Sequence, residues 1–410
     1  MTEAASRLPQ QALLLAAARA AGQLVMVVVQ AVVAREIGAS RFGVLASALA
    51  LAATLSGFID FGAGAYWIRE VSSGRMTAED FRSRSAGKIA VGLLIACGLF
   101  VVGTSGVAFA LLVPASGFLL ASVWSQTLQT ALIAAGMNVR LSVIALIERL
   151  TLGFAFLFLS RTSLSVEFVF VLAYLCGSAV TVWLASRSAR HLRPDLRHVG
   201  WRRTWSGAGY YGLSTSLISL QSTDVLIAGA IAGQDVAGSY GAVARWTMPI
   251  VLASQAFAVL LNPVVASARD RLEVWKRLRG ALWLPSLSIV SAIAMLIVAE
   301  PLILFVLGSG FQASVMTLRF LALAAGLSAC SQVAFTVLQA RGRERVAARA
   351  LALSVSTQLA LVAPLAQLMG AAGVALAALA GQGALLLVVG IAVFRIWGSL
   401  GGLRHTQEDG

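Results

Sequence analysis

Several ionisable side chains lie inside long apolar runs of this sequence and are its best candidates for chemistry. Asp224 follows Gln221, Ser222 and Thr223 within the otherwise apolar stretch LISLQSTDVLIAGA. Charges buried in an apolar environment are costly, so they usually face a cavity or an oppositely charged partner. The other members of this set are Arg19, Asp60, Glu148, Arg149, Arg245 and Arg319.

The depths of these residues along the predicted helices suggest two ion pairs. Arg19 and Asp60 lie near one end of neighbouring helices, and Asp224 and Arg245 lie near the opposite end. Each pair could line a cavity or form a satisfied clamp between helices, and the sequence leaves both interpretations open.

Glu148 and Arg149 are adjacent on one predicted helix, so their side chains point about 100° apart and cannot both face a narrow cavity. The long side chains of Arg149 and Arg319 could alternatively extend to the membrane interface.

The helix around Asp224 is polar on two sides. Thr215, Ser219 and Ser222 form one stripe, and Gln221 and Asp224 share a second stripe on roughly the opposite side. Hydroxyl groups can bond back to the helix backbone, so the first stripe could be a dry packing face. We expect a water-filled cavity on the side of Gln221 and Asp224.

Nothing in the sequence predicts an enzyme, a metal centre or a cofactor site. The histidines lie in basic segments without cysteines or carboxylates at ligand spacing, the cysteines are scattered through apolar runs, and no G-x4-G-K-[ST] phosphate loop occurs. Transport by this chain would therefore follow a gradient or be coupled to one. The histidines and cysteines are His191, His198, His405, Cys97, Cys176 and Cys330.

The composition predicts an all-α protein that crosses a membrane many times. Hydrophobic residues make up 59% of the 410 residues and charged residues 12%, about half the charged fraction of a soluble domain. Apolar windows long enough to cross a bilayer recur along the chain, and the first of them is too long for a signal peptide. The twelve predicted spans are 12–34, 43–66, 89–112, 117–136, 142–160, 167–186, 207–231, 240–263, 280–299, 314–338, 350–368 and 372–394.

The positions of the basic residues predict that both termini are cytoplasmic. Most of the 31 lysines and arginines fall in one set of alternating loops, whereas the opposite set contains Arg35, Arg41 and Arg161. Cytoplasmic loops accumulate basic residues. This asymmetry explains the net charge of +14 without nucleic-acid binding.

A weak internal repeat predicts two pseudo-symmetric lobes of six helices. Gly38 and Gly43 bracket a turn after the first span, and Gly233 and Gly238 bracket the equivalent turn half a chain later. Parallel repeats of this kind are related by an axis along the membrane normal. The predicted lobes are residues 1–195 and 196–410, with the basic segment 187–203 between them.

Three stretches resemble the oligosaccharide flippases of the MOP superfamily, the Wzx-like polysaccharide biosynthesis proteins. They are AREIGASRFGVLASALALAATLSGFIDFGAGAYWIRE, STDVLIAGAIAGQDVAGSYGAVARW and FVLGSGFQASVMTLRFLALAAG, the last followed by the basic loop VLQARGRERVAAR. Their order and spacing carry the resemblance. Many members have extra C-terminal helices beyond the twelve predicted here.

The resemblance implies a V-shaped bundle with alternating access in the bacterial cytoplasmic membrane. Its substrate would be an undecaprenyl-pyrophosphate-linked glycan, moved from the cytoplasmic to the outer leaflet. A polysaccharide polymerase and glycosyltransferases would be its partners, beside the membrane lipids.

Under this interpretation Arg19, Arg149 and Arg245 would bind the pyrophosphate, because the arginine fork matches phosphate geometry. Ser219, Gln221 and Ser222 would meet sugar hydroxyls. The carboxylates would hold the arginines or take a coupling proton or sodium ion, and the candidates for that role are Asp60, Glu148 and Asp224.

Three alternatives remain open at this stage. A cation-coupled multidrug exporter of the same superfamily would favour acidic cavities, whereas the predicted helices contain slightly more basic than acidic residues. A flippase of the peptidoglycan precursor would share the chemistry with a different headgroup. A non-transporting subunit of a polysaccharide assembly complex would have well-paired charges and no continuous cavity.

Overall fold

The computed structural model describes the backbone of residues 2–251, 254, 258, 261, 283–340 and 342–402. Side chains are described from residue 20 onward, except at 210, 284, 340, 344 and 396–402.

The described residues form helices and turns without a β-strand, which confirms the predicted all-α class. The helices are α1 Thr2–Asp60, α2 Ala63–Ser72, α3 Ala78–Thr104, α4 Phe109–Ala134, α5 Asn138–Leu159, α6 Val166–Ser188, α7 Gly209–Gln221, α8 Thr223–Ala232, α9 Gln234–Ala244, α10 Trp283–Val306, α11 Ser314–Ala340, α12 Glu344–Met369 and α13 Ala371–Gly402.

Ten helical segments among the described residues are long and apolar enough to cross a membrane, so the chain is a multi-pass membrane protein. The segment Ala20–Asp60 contains the first two predicted spans, which meet at Gly38 with a φ of 76°. The seventh predicted span is divided into α7 and α8 at Ser222. About half of the eighth span beyond α9 lies outside the described residues.

Helix α3 begins eleven residues before the start of the predicted third span. The side chain of Thr77 accepts a hydrogen bond from the Asp80 amide over 3.1 Å, and Glu79 and Asp80 occupy the first turn. A Thr cap followed by acidic residues stabilises a helix start. Lys88, predicted to lie in a loop, is therefore inside a helix, and only 1% of its surface is exposed.

Helix α1 is the centre of the N-terminal half. It packs against α4 and α5, and α6 contacts both of those helices from the outside. In the C-terminal half α13 packs between α11 and α12, while α10 lies against α11. The two halves meet where α1 contacts α7, α8 and α9. The division into symmetric lobes at residue 195 stays a prediction.

The two glycine turns contact each other directly. A Cβ atom on Gly43 would collide with the backbone carbonyl of Gln234, and a Cβ on Gly238 would collide with that of Ala39. These contacts are reciprocal, because each turn contributes the equivalent pair of positions, 39 and 43 in the first turn and 234 and 238 in the second. We refer to the part of the bundle that holds residues 38–43 and 233–238 as the glycine-turn end.

The opposite end of the bundle holds residues 189–208, and we call it the linker end. The Trp205 indole donates a hydrogen bond to the Ile59 carbonyl over 2.8 Å, and Arg84 donates to the Ser206 carbonyl over 3.0 Å. A hydrogen bond with His198, aided by the Arg197 amide and the Arg82 charge, lowers the pKa of the Asp195 carboxyl. The connecting segment is thus fastened to the N-terminal half.

Candidate functional site

A cavity of about 500 Å³, lined mainly by apolar side chains with a minority of polar ones, lies between α1 and the helices of the C-terminal half. Gln221, Ser222 and Asp224 line it on one side and Arg245 on another. Its remaining polar lining is rich in amide side chains rather than charges. Five glutamines contribute to its wall: Gln30, Gln221, Gln332, Gln358 and Gln382.

The hydroxyl stripe of α7 divides between a packing face and the cavity. Ser219 donates to the Thr215 carbonyl over 2.9 Å, and its side chain fills the space above Gly57 of α1. Thr54 of α1 also donates to the Ser219 carbonyl over 3.3 Å. Ser219 therefore packs against α1, whereas Ser222, at the junction of α7 and α8, lines the cavity.

Asp224 is a buried carboxylate held by three donors from different elements. The Tyr240 hydroxyl donates to its Oδ2 atom over 2.6 Å, and the Gln358 amide donates to the same atom over 3.0 Å. The Val225 amide donates to Oδ1 over 2.7 Å. The residue thereby joins α8 to α9 and α12, with 5% of its surface exposed.

The expected ion pair of Asp224 with Arg245 is not formed. Tyr240 and Arg245 are five residues apart, so they point about 140° away from each other on a helix. Because the Tyr240 face of α9 turns toward Asp224, Arg245 points elsewhere. Among the described residues no carboxylate lies within salt-bridge distance of Arg245.

Arg245 instead interacts with the N-terminal half of the chain. Its guanidinium lies within electrostatic range of Tyr174 of α6 and Arg149 of α5. The Arg149 guanidinium lies 5.8 Å from the centre of the Tyr174 ring and 3.9 Å from the Met26 sulfur. The side chain of Arg149 remains 24% exposed. Two arginines from different halves therefore converge around one aromatic ring.

Glu148 does not neutralise this cluster fully. Its Oε1 atom lies 3.7 Å from Arg149, whereas its Oε2 atom accepts hydrogen bonds from Thr181 over 2.8 Å and from Gln129 over 3.2 Å. The carboxylate is buried between α4, α5 and α6. Glu148 thus points into the N-terminal half while Arg149 points toward α1, as their adjacent positions on the helix require.

Asp60 forms its ion pair with a residue that the sequence did not suggest. The Lys88 ammonium lies 2.5 Å from its Oδ1 atom. The side chain of Arg19, the partner expected from the sequence, lies outside the described residues. The capping signal Thr77-x-x-Asp80 could have indicated this pair, because it predicts that α3 begins at Ala78 and therefore includes Lys88.

The described residues contain no group of three or more His, Cys, Asp or Glu side chains that could hold a metal ion. The site can therefore offer a cationic pair, a neutral amide-lined cavity and a hydrogen-bonded carboxylate to a ligand.

Comparison with known proteins agrees with this architecture. A family model described as "Polysaccharide biosynthesis protein" matches residues 8–268. No curated protein matches the chain at comparable significance.

Solved transporter structures share the fold. A multidrug resistance MATE family transporter of the MOP superfamily, in an inward-facing conformation, superposes with a TM-score of 0.71 at 14% identity, covering 93% of this chain and 96% of that one. The lipid II flippase MurJ, in an inward closed conformation, gives 0.71 at 14% identity, covering 92% and 85%. The Vibrio cholerae MATE transporter VcmN gives 0.65 at 16% identity, covering 96% and 98%.

Proposed function

The chain belongs to the family of polysaccharide biosynthesis proteins, and from that membership we propose that it is a flippase for lipid-linked oligosaccharides. It carries a polyprenyl-pyrophosphate-linked glycan from the cytoplasmic to the outer leaflet of a bacterial cytoplasmic membrane. Both termini are cytoplasmic, and the glycine-turn end faces outward.

The observation that carries this proposal is the convergence of Arg149 and Arg245. The two guanidiniums come from different halves of the chain and repel each other. A pyrophosphate placed between them replaces that repulsion with attraction to both, through bidentate hydrogen bonds. Substrate binding then favours the approach of the two halves around Tyr174, and release favours their separation.

The amide-lined cavity suits the glycan. Glutamine side chains offer both donors and acceptors, as the hydroxyl groups of a sugar require. Among the residues that the structure describes, none donates a hydrogen bond to the buried Oε1 atom of Gln382. A sugar hydroxyl would satisfy that acceptor, whereas a buried amide oxygen without a partner is costly.

Asp224 is our candidate for ion coupling. It lines the same cavity as Arg245, and its carboxylate has hydrogen-bond donors but no salt bridge among the described residues. A proton or a sodium ion would compensate its charge. Because its donors lie on α9 and α12, occupation by the ion changes the contacts between three helices of the C-terminal half.

The glycine turns provide the outer gate. Their backbone contact at Gly43 and Gly238 closes the glycine-turn end, so access from that side requires the turns to separate. In this proposal the two turns are either in contact or separated, and alternating access uses these two states.

Reconstituted protein tests this function directly. Liposomes that contain the purified chain and a polyprenyl-pyrophosphate oligosaccharide should show protein-dependent movement of the glycan between leaflets. Arg149→Gln and Arg245→Gln should each slow the transfer about tenfold or more, because each removes a charge-assisted bond. Arg319→Gln is the matched control, since Arg319 pairs with Glu300 on α10 at 3.5 Å.

Wild-type transfer rates in both Arg149→Gln and Arg245→Gln would refute the role of the arginine pair. A chain that moves a cationic dye but no glycan lipid would instead be an exporter of the same superfamily.

A further inference from the structure

A second large groove, of about 820 Å³, lies between α4 and α6 on the flank of the N-terminal half. Leu120 and Trp124 line it from α4, and Leu175, Ala179 and Trp183 line it from α6. Trp183 is 53% exposed. The groove shares no lining residue with the amide-lined cavity, so it is separate from the proposed transport site.

One end of this groove is strongly basic. Arg187, Arg190 and Arg193 contribute to its wall, and its described lining contains no carboxylate. The Arg187 guanidinium lies 4.3 Å from the centre of the Trp183 ring, which fixes its position over the groove. The nearby Asp195 is engaged by Arg82 and His198. The three arginines therefore face the groove without a salt bridge to a described acidic residue.

The basic end of the groove lies where α6 would leave the membrane. Helix α6 begins at the glycine-turn end, where Glu167 pairs with Arg41 over 2.6 Å, and it ends at Ser188 next to the linker segment. Before the arginines, the groove lining extends along α6 from Leu175 to Ser186, about 16 Å. That length is about half of the 30 Å hydrocarbon core, or one leaflet.

We propose that this groove binds an anionic glycerophospholipid of the leaflet at the linker end. The phosphate lies among Arg187, Arg190 and Arg193, and an acyl chain lies along α4 and α6. Basic pockets between transmembrane helices recognise anionic headgroups in this manner. Because the groove is closed on one side by Ser178, which donates to the Ala121 carbonyl over 2.9 Å, the bound lipid also supports the contact between α4 and α6.

The test compares the purified chain in phosphatidylcholine nanodiscs with the chain in nanodiscs that also contain phosphatidylglycerol. Native mass spectrometry counts the phosphatidylglycerol molecules retained, and thermal unfolding measures the stabilisation as its fraction rises. We expect one tightly retained phosphatidylglycerol in the unmodified chain. Removal of each arginine should weaken its binding about fivefold.

The main variant is the triple substitution R187Q, R190Q and R193Q. Its matched control is the triple substitution R197Q, R202Q and R203Q, which removes the same charge from exposed positions of the same segment outside the groove. A second variant, Ala179→Phe, fills the exposed apolar part of the groove and leaves every charge in place. Both groove variants should lose the retained lipid, and the control should keep it.

An equal response to phosphatidylglycerol in the groove and control triples would overturn the proposal, as would full lipid retention in Ala179→Phe. Stabilisation by inorganic phosphate as strong as that by the lipid would show that the site binds a free anion and not a phospholipid. None of these measurements depends on glycan transport, so they test lipid binding independently of the proposed flippase function.

Discussion

Gln358 of α12 donates a hydrogen bond to Asp224 of α8 over 3.0 Å, and it shares the Asp224 Oδ2 atom with the Tyr240 hydroxyl of α9. One carboxylate oxygen therefore connects the consecutive helices α8 and α9 to α12, whose Gln358 is 134 residues away from Asp224 in the sequence.

Removal of the Asp224 carboxylate should weaken this junction. In Asp224→Ala the Tyr240 and Gln358 donors lose their acceptor inside the protein, which should cost about 1–3 kcal/mol for each unsatisfied group. Asp224→Asn should cost less, since the remaining amide oxygen can still accept one of the bonds. Thermal unfolding in detergent measures both, with Asp235→Asn, at an exposed position of α9, as the control. Identical melting curves for all three variants would contradict the junction.

The Lys88 and Asp60 pair should be a stabilising clamp. Lys88→Met leaves the Asp60 carboxylate without its partner, and breaking a buried ion pair in this way typically costs about 3–5 kcal/mol. Asp60 retains 17% exposure, so we expect the lower part of that range.

The double variant Lys88→Met with Asp60→Leu should recover most of the loss, because no unpaired charge remains. Chemical or thermal unfolding of the single and double variants provides the comparison, with the exposed Arg140→Met as control. A double variant as unstable as the two single losses added together would exclude a direct pair.

A disulfide should lock the glycine-turn end. A Cβ on Gly241 would lie 2.6 Å from the Cβ of Ala46, so cysteines at both positions need only a small displacement to reach disulfide geometry. In a chain whose native cysteines are replaced, the pair Ala46→Cys and Gly241→Cys should cross-link on mild oxidation. Glycan transfer should then stop and return on reduction. Unchanged transfer in the cross-linked protein would show that the turns need not separate.

A larger side chain at Gly43 should separate the two glycine turns instead of locking them together. Gly43→Ala places a methyl group against the Gln234 carbonyl, so it should lower the rate of that cross-link. Gly98→Ala is the control, because a Cβ at that helical position meets open space. Equal cross-linking rates in the two variants would mean that the contact at Gly43 does not hold the turns together.

The two polar stripes of α7 should differ in access to water. Gln221→Cys lines the amide-lined cavity and should react with a water-soluble maleimide, whereas Ser219→Cys, packed on Gly57, should react much more slowly. The labelling rates are measured in proteoliposomes and compared with that of Asp235→Cys, at an exposed position outside the membrane-spanning segment. Slow labelling at both positions would argue for a dry interface on both sides of the helix.

Composition and the spacing of apolar runs were enough to predict the class of the protein and most of its helices. The length of an apolar run is enough to predict a membrane-spanning helix, so composition and turn residues located most spans. The break at Gly38 was predicted because Gly38 and Gly43 have the same spacing as Gly233 and Gly238 half a chain later. The angular divergence of Glu148 and Arg149 was also fixed in advance, since it follows from helix geometry within one element.

Which side chains meet could be seen only from the packing of the helices. The depth of Asp224 along its helix suggested Arg245, but depth does not specify the direction in which the partner helix is rotated, and that rotation presents Tyr240 instead. Lys88 was predicted to lie in a loop. The cap at Thr77 starts α3 earlier, so that Lys88 lies inside this helix beside Asp60. The convergence of Arg149 with Arg245, and the placement of three linker arginines over the groove between α4 and α6, depend on contacts between distant segments. Local sequence does not encode such contacts, because they are set by how whole helices pack.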